Sequence, residues 1–284
     1  MEREHVQSIV LQGSGAERHA RCDLLTFGAG EARAVLARLL TDVSNAAEPP
    51  GRARRQLALS ASGLRMLGLS EAELAQFSRE FRQGMAHPER ALALADVGAE
   101  GPELWEFGGP NTAPIDALWL TLCDDAAHLA ELSAQYARLF ARFGVSAEAQ
   151  DATLRSPEPK GALASERRRW FKRVPWGELV LGERDAVGER LRGPLVPIKH
   201  SARPLPPWVR PENALDFGKN GSYLAVRKSA SHWLMAVHTN LRHQFEFAQA
   251  KAREVTPRSA PMRGGGYFFL PSLPALNYLA ESRG

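Results

Sequence analysis

Residues 20–144 alternate between short apolar stretches and amphipathic helical stripes, and this alternation restricts the possible folds more than any other feature. The stretches 21–27, 56–60 and 115–123 are rich in apolar residues and predict strands. Two helices are predicted from side chains that recur at helical spacing: Val35, Leu36, Leu39, Leu40 and Val43 in the first, and Leu129, Leu132, Tyr136, Leu139, Phe140 and Phe143 in the second. Strands that alternate with crossing helices indicate helices packed on a mostly antiparallel sheet, as in ferredoxin-like units.

The predicted helices carry recognisable start and stop residues. Ser70, followed by two glutamates, predicts a helix start because a serine oxygen can accept hydrogen bonds from free backbone amides. One continuous helix is expected from there, with an apolar face formed by Leu74, Phe77, Phe81 and Met85. Either Asp124 or Asp125 can cap the next helix, and Gly144 is expected to end it.

The middle of the chain has a different composition from the segments around it. Residues 146–175 are polar and basic, and residues 194–211 contain six prolines, which disfavour both helix interiors and central strands. We therefore predict a long surface excursion that connects two ordered parts. The predicted organisation is a first half at 1–145, a connecting excursion at 146–220 and a shortened second half at 221–284.

Regular structure is predicted again in the second half. Residues 221–227 and 233–237 predict strands, residues 240–251 predict a helix, and residues 267–270 predict a short aromatic strand after three glycines. The second half therefore offers the same element types as the first half but fewer of them.

Composition excludes several classes of protein. The chain has 284 residues, of which 44% are hydrophobic and 24% charged, as in ordinary globular domains and unlike disordered chains. No apolar run reaches the roughly 18–20 residues of a membrane span, and the charged start does not lead into a signal-type apolar core. The two distant cysteines, Cys22 and Cys123, fit a reducing compartment, so we expect a cytoplasmic protein without membrane contact.

Charge and histidine content give little support for nucleic-acid or metal binding. The net charge is +4, from 36 basic and 32 acidic residues. The basic run 167–173 contains Trp170 and Phe171, which permits base stacking, but a solvated loop explains a single run more simply. His238 and His243 are five residues apart and would not share a helix face. No metal site is predicted.

Seven segments together resemble the dye-decolourising (DyP-type) haem peroxidases, in the family's order and over nearly the whole chain. The two most specific are RHQFEF at 242–247 and GGYFFLP at 265–271. The other five are VQSIVLQGSG at 6–15, LALSASGL at 57–64 with Leu67-Gly68, FRQGM at 81–85, WGELVLG at 176–182 and NGSYL at 220–224. The resemblance implies an α+β fold of two ferredoxin-like halves, of the dimeric α+β barrel type, with the second half incomplete here.

The resemblance also implies haem, normally held in the second half, and an oxidoreductase that uses hydrogen peroxide and an organic electron donor. Two family features are missing. The Gly-x-x-Asp-Gly motif, whose aspartate works with peroxide, has no match in 159–166, and 182–186 is only a near miss. The family's long segment with the iron-ligating histidine and the assisting arginine is reduced here to residues 228–241.

These departures predict a degenerate active site to which no catalytic residue is assigned. His232 and His238 are the remaining candidates for the iron, and Arg227 and Arg263 could face a haem propionate, with ion pairing as the alternative for each arginine. We expect a non-catalytic binding or assembly module, or a non-functional remnant, that does not bind haem, and partners that are a second copy or a family paralogue. The alternatives are a haem peroxidase with substitute ligands and, from residues 167–173 alone, a nucleic-acid-associated protein.

Overall fold

The computed structural model describes residues 1–13, 17–28, 30–49, 51–153, 175–190, 193–197, 214–229, 233–241 and 261–281. The helices in these ranges are α1 (Ser8–Gln12), α2 (Ala32–Leu40), α3 (Ala61–Met66), α4 (Glu71–Leu74), α5 (Arg79–Gln83), α6 (Pro88–Leu94), α7 (Ala126–Arg142) and α8 (Leu273–Glu281). The strands are β1 (His19–Thr26), β2 (Ala53–Leu59), β3 (Ala117–Cys123), β4 (Ser146–Thr153), β5 (Leu195–Pro197), β6 (Ala214–Asp216), β7 (Ser222–Ser229), β8 (Trp233–His238) and β9 (Met262–Leu270). None of the helices in these ranges combines the length and apolar character of a bilayer crossing.

Within the described residues, seven strands form one sheet in the order β4-β1-β3-β2-β9-β7-β8. All of its strand pairs are antiparallel, and β5 and β6 form a separate pair. The strands of the two predicted halves join where Leu59 on β2 lies opposite Phe269 on β9. The mixed α+β class and the antiparallel sheet predicted from the sequence are therefore confirmed.

The sheet is strongly curved. Lys228 Nζ on β7 donates a hydrogen bond to Gln150 Oε1 on β4 at 2.8 Å, although four strands separate β7 from β4. In a flat sheet these two strands would lie about 24 Å apart, which is beyond the reach of the two side chains. One face therefore lines the inside of a partial barrel, and the other face carries most of the helices.

Each face of the sheet has its own apolar core. The inner face buries leucines of β1 and β3 together with Val226 and Phe268, and α1 packs there. The outer face buries Trp119, α2, the α3–α6 segment, α7 and α8. The helical stripes predict that four of their side chains lie in this core. Leu36, Leu39 and Phe140 are buried, whereas Leu132 is partly buried at its edge.

Several predicted elements are confirmed, with ends that shift by up to three residues, and the helix cap is resolved. β1, β2, β3, α2 and α7 lie where the sequence predicts them. Asp125, not Asp124, caps α7, because its carboxylate accepts hydrogen bonds from the backbone amides of Ala127 and His128 at 3.2 and 3.3 Å. Gly144 follows the helix with a φ of 62°, in the left-handed region that favours glycine.

Two predictions about local structure are wrong. The continuous helix expected from Ser70 is two short helices, because Ser78 caps a new start at α5. Its predicted apolar face nevertheless remains buried as a unit: Leu74, Phe77, Phe81 and Met85. Residues 146–153 were assigned to the surface excursion but form β4, whose backbone pairs with β1 while its side chains stay mostly exposed. The sequence gives no strand signal here, because residues 146–153 are small or polar and lack the large apolar side chains of a buried strand.

Candidate functional site

A buried ion pair lies in the second half of the sheet. β7 places Arg227 opposite Leu234 of β8 and Gly265 of β9. Asp96 follows α6, after Ala95 takes a left-handed conformation with a φ of 59° that turns the chain toward the sheet. Arg227 Nη2 donates a hydrogen bond to Asp96 Oδ1, and the two residues are only 9% and 1% exposed. The contact joins positions 131 residues apart.

This ion pair has unused hydrogen-bonding capacity. Asp96 Oδ2 and Arg227 Nε are buried and make no hydrogen bond with any residue in the described ranges. Burial raises the pKa of Asp96 to about 6, although the adjacent Arg227 guanidinium acts in the opposite direction. The Asp96 carboxyl can therefore hold or release a proton near neutral pH.

Further polar groups surround the pair, and we call the set the Asp96 cluster: Asp96, Arg227, Tyr267, Arg90 and Glu80. Burial raises the pKa of the Tyr267 phenol, while Arg227 and Arg90 act to lower it. Arg90 Nη1 lies 3.7 Å from Glu80 Oε1. The cluster combines a protonatable carboxyl with a fixed positive charge in a water-poor setting, which is an arrangement suited to proton transfer or anion binding.

His238, a candidate iron ligand, has both ring nitrogens engaged. Its Nδ1 accepts a hydrogen bond from the Asn240 backbone amide at 2.8 Å, and its Nε2 lies 3.3 Å from Glu178 Oε2. The amide fixes the neutral tautomer with the proton on Nε2, pointing at the carboxylate. An iron ligand needs a nitrogen lone pair directed at the metal, and this arrangement leaves none.

The other candidates from the sequence occupy different surroundings. Arg263 Nη1 lies 3.1 Å from Glu106 Oε1 at the surface, and Lys228 Nζ lies 2.8 Å from the same carboxylate. His232 lies outside the described residues, as does the basic run 167–173. Arg227 and His238 are on strands that pair with each other, but they interact with different partners, Asp96 and Glu178.

A second cluster, which the sequence analysis missed, lies at the end of β3 and the start of α7. Cys123 Sγ lies 3.5 Å from His128 Nδ1, and one ligand atom each of Cys123, Asp124 and His128 lies within 4.8 Å of the others. The signal was a Cys-Asp-x-x-x-His pattern across a strand-to-helix junction. Pairs of histidines alone do not reveal it, and Asp124 next to a helix start is explained as a cap, so this combination gives no metal signal unless the cysteine is included.

An open groove of about 550 Å³ runs between α7 and strands β1 and β4. Its lining is mainly alanine side chains of α7, with Arg21 and Asp151 on the strands. The groove belongs to the first half of the chain and does not adjoin the Asp96 cluster. It offers no concentration of reactive groups.

Comparisons with known proteins find no matching family model and no matching curated protein. Solved structures do match. A DyP-type peroxidase from Anabaena sp. superposes with a TM-score of 0.63 at 14% identity, over 98% of this chain and 94% of that one.

Two further structures match over about half of their own length. A decolorizing peroxidase variant from Auricularia auricula-judae gives a TM-score of 0.50 at 16% identity, covering 81% of this chain and 48% of that one. A dye-decolorizing peroxidase in complex with 2,6-dimethoxyphenol gives a TM-score of 0.50 at 17% identity, covering 81% of this chain and 50% of that one. The chain thus has the ferredoxin-like α+β fold of DyP-type peroxidases, and the resemblance predicted from the sequence is confirmed at the level of fold.

Proposed function

We propose that this chain is a DyP-fold protein without a working haem-peroxidase centre, and that it acts as a binding or assembly module. The connection between β7 and β8 carries this proposal. Lys228 pairs with Trp233, so only residues 229–232 lie between the two paired positions. The family resemblance assigns the iron-ligating histidine and its assisting arginine to a long segment in this region, and four residues are too few to contain it.

The groups present in the described second half do not fit haem. Both nitrogens of His238 are engaged, and Arg227 is neutralised by Asp96. The outer face of the sheet is also filled by packed aromatic rings, whose neighbouring centroids are 5.2 to 6.4 Å apart: Phe77, Phe81, Phe217, Tyr223 and Phe269. A flat macrocycle would have to displace this cluster, so we derive no reaction step through haem.

The proposed partner is a second copy of the chain or a family paralogue. In the described part of the sheet, β4 is an edge strand with mostly exposed side chains, so its outer backbone groups are available for pairing. We also propose a cytoplasmic location, since Cys22 and Cys123 are both free and buried. Light scattering after size exclusion tests self-association, and cell fractionation tests location.

A haem peroxidase with substitute groups is the second candidate, and the Asp96–Arg227 pair favours it. An aspartate and an arginine are the residue types that the resemblance assigns to peroxide activation. Asp96 has a pKa raised by burial to about 6, and its Oδ2 makes no hydrogen bond with the described residues. A general acid–base group with a pKa near the working pH is suited to moving a peroxide proton.

Haem reconstitution distinguishes the two candidates. The protein is mixed with haem, freed of excess by gel filtration, and assayed for a Soret band and for peroxide-dependent dye oxidation. The same is done for His232→Ala, His238→Ala and Asp96→Asn, with His5→Ala as a matched histidine control. We expect substoichiometric haem and activity no higher than free haem in every protein. Stoichiometric haem with turnover far above free haem, lost in one of the three variants but retained in the control, would overturn the proposal.

A further inference from the structure

We propose that Cys123, Asp124 and His128 form a binding site for a zinc-class divalent metal ion at the β3–α7 junction. The site is independent of the proposed loss of the peroxidase centre, because it lies in the first half of the chain. Its three side chains supply a thiolate, a carboxylate and an imidazole, the ligand types that Zn²⁺ accepts in proteins. Three protein ligands leave one coordination position for solvent or a small ligand, on the side of the exposed Asp124.

The distance between the sulfur and the nitrogen fits tetrahedral coordination. With Zn–S near 2.3 Å and Zn–N near 2.1 Å, a tetrahedral angle separates the two ligand atoms by about 3.6 Å. Cys123 Sγ and His128 Nδ1 are 3.5 Å apart. The carboxylate of Asp124 completes a set in which all ligand atoms lie within 4.8 Å of one another. A metal ion would therefore need only small side-chain rotations.

The secondary structure holds these ligands in place. Cys123 ends β3, and its side chain is fully buried, so its position is fixed by the sheet. His128 lies in the first turn of α7, which Asp125 caps through the amides of Ala127 and His128. Because Asp125 is occupied by this capping, the neighbouring Asp124 is the carboxylate available to a metal.

The Arg52 guanidinium already lies near the site and would have to move when a metal ion binds. Arg52 Nε is 4.0 Å from Asp124 Oδ1, and Arg52 Nη2 is 3.6 Å from Asp125 Oδ2. The arginine side chain is 68% exposed, so it can withdraw into solvent at little cost. The Cys123 thiol donates to the Arg52 carbonyl oxygen at 3.2 Å. On binding, that proton passes to solvent, and thiolate, carboxylate and divalent ion together are neutral.

Direct titration tests the site. Tag-free protein is titrated with Zn²⁺ by calorimetry and with Co²⁺ by absorption, where a thiolate ligand produces a charge-transfer band in the near ultraviolet. We expect one ion per chain. Cys123→Ser and His128→Ala should each weaken binding by more than about 100-fold, since the loss of even an outer-shell partner costs 10–100-fold. Cys22→Ala and His5→Ala should bind as the wild type does.

The variants also separate loss of a ligand from loss of the fold. Cys123 is buried, so its variant is checked for unchanged circular dichroism and thermal unfolding. Should Cys123→Ser unfold, the nearer-surface variants His128→Ala and Asp124→Asn decide the matter. Absence of a charge-transfer band, more than one weak ion per chain, or equal affinity in the ligand variants and the controls would each overturn the site. In those cases the sulfur–nitrogen contact is a simple hydrogen bond.

Discussion

Among the described residues, each half of the sheet buries an arginine–carboxylate pair, and the two pairs differ in how completely they are hydrogen-bonded. Arg54 on β2 donates to both oxygens of Glu17, at 2.5 and 2.8 Å. Its remaining donors reach Gln12 Oε1 at 3.0 Å and the Gly13 carbonyl at 2.7 Å. In the second half, Arg227 and Asp96 share one hydrogen bond, and each retains a buried atom without a partner among the described residues.

This difference distinguishes a pair that supports the fold from a pair whose polar atoms can still bind a proton or a ligand. Burying two charges costs several kcal/mol each, and that cost is offset only when every donor and acceptor is satisfied. The Arg54–Glu17 pair approaches this condition and also ties the segment after α1 to the sheet. The Asp96–Arg227 pair does not, and burial accordingly raises the pKa of Asp96 to about 6. The second pair is therefore the one to probe for function.

The largest expected effect is the loss of Arg54. Arg54→Met leaves Glu17 buried without its guanidinium and should lower the free energy of unfolding by about 3–5 kcal/mol, measured by urea unfolding at pH 7. Arg227→Met should lower the free energy of unfolding by less, because the Asp96 carboxyl can bind a proton and become neutral. Equal losses for the two variants would contradict the distinction between the pairs.

An intermediate effect is expected from pH. The folded-state pKa of Asp96 is raised from 3.8 to about 6, so its carboxyl favours the folded state while protonated. The contribution of this proton binding to the stability of the folded state is complete below pH 3.8 and is lost as the pH rises through about 6. The stability of the wild type relative to Asp96→Asn should therefore fall by up to about 3 kcal/mol across this window.

Unfolding curves at several pH values across this window measure the difference. The exposed Asp151→Asn provides the control for the general loss of one negative charge. A stability difference between wild type and Asp96→Asn that stays constant over the window, or that rises with pH, contradicts the raised pKa.

The smallest effect is expected from a glycine beside the second pair. A Cβ at Gly265 would lie 2.5 Å from Met85 Sδ and 3.1 Å from the Val226 carbonyl oxygen. Gly265→Ala should cost about 1–3 kcal/mol, because Met85 must shift within a packed core. In the first half, a Cβ at Gly28 meets only the Gly144 carbonyl oxygen at 3.4 Å, so Gly28→Ala should stay within about 0.5 kcal/mol. Thermal unfolding of both variants makes the comparison.

The candidate sites could be predicted from the sequence only in part. Arg227 was identified from the family resemblance, but its partner Asp96 is 131 residues away and gave no local signal. His238 was identified as well, and its hydrogen bond from the Asn240 amide is local, but its contact with Glu178 depends on how β8 meets the 175–190 segment. The Cys123–His128 contact is local and could have been found from its spacing.

Five elements of the first half could be predicted from side-chain periodicity alone. β1, β2, β3, α2 and α7 follow from apolar side chains at strand and helix spacing, because burial of one face imposes that period on the residues. Three features depend on how the chain packs in three dimensions: β4 pairs with β1, the sheet curves so that Lys228 contacts Gln150, and Asp96 is buried against Arg227. Backbone pairing is insensitive to side-chain type at an exposed edge, and long-range ion pairs depend on how the chain closes in space, so neither leaves a periodic trace in the sequence.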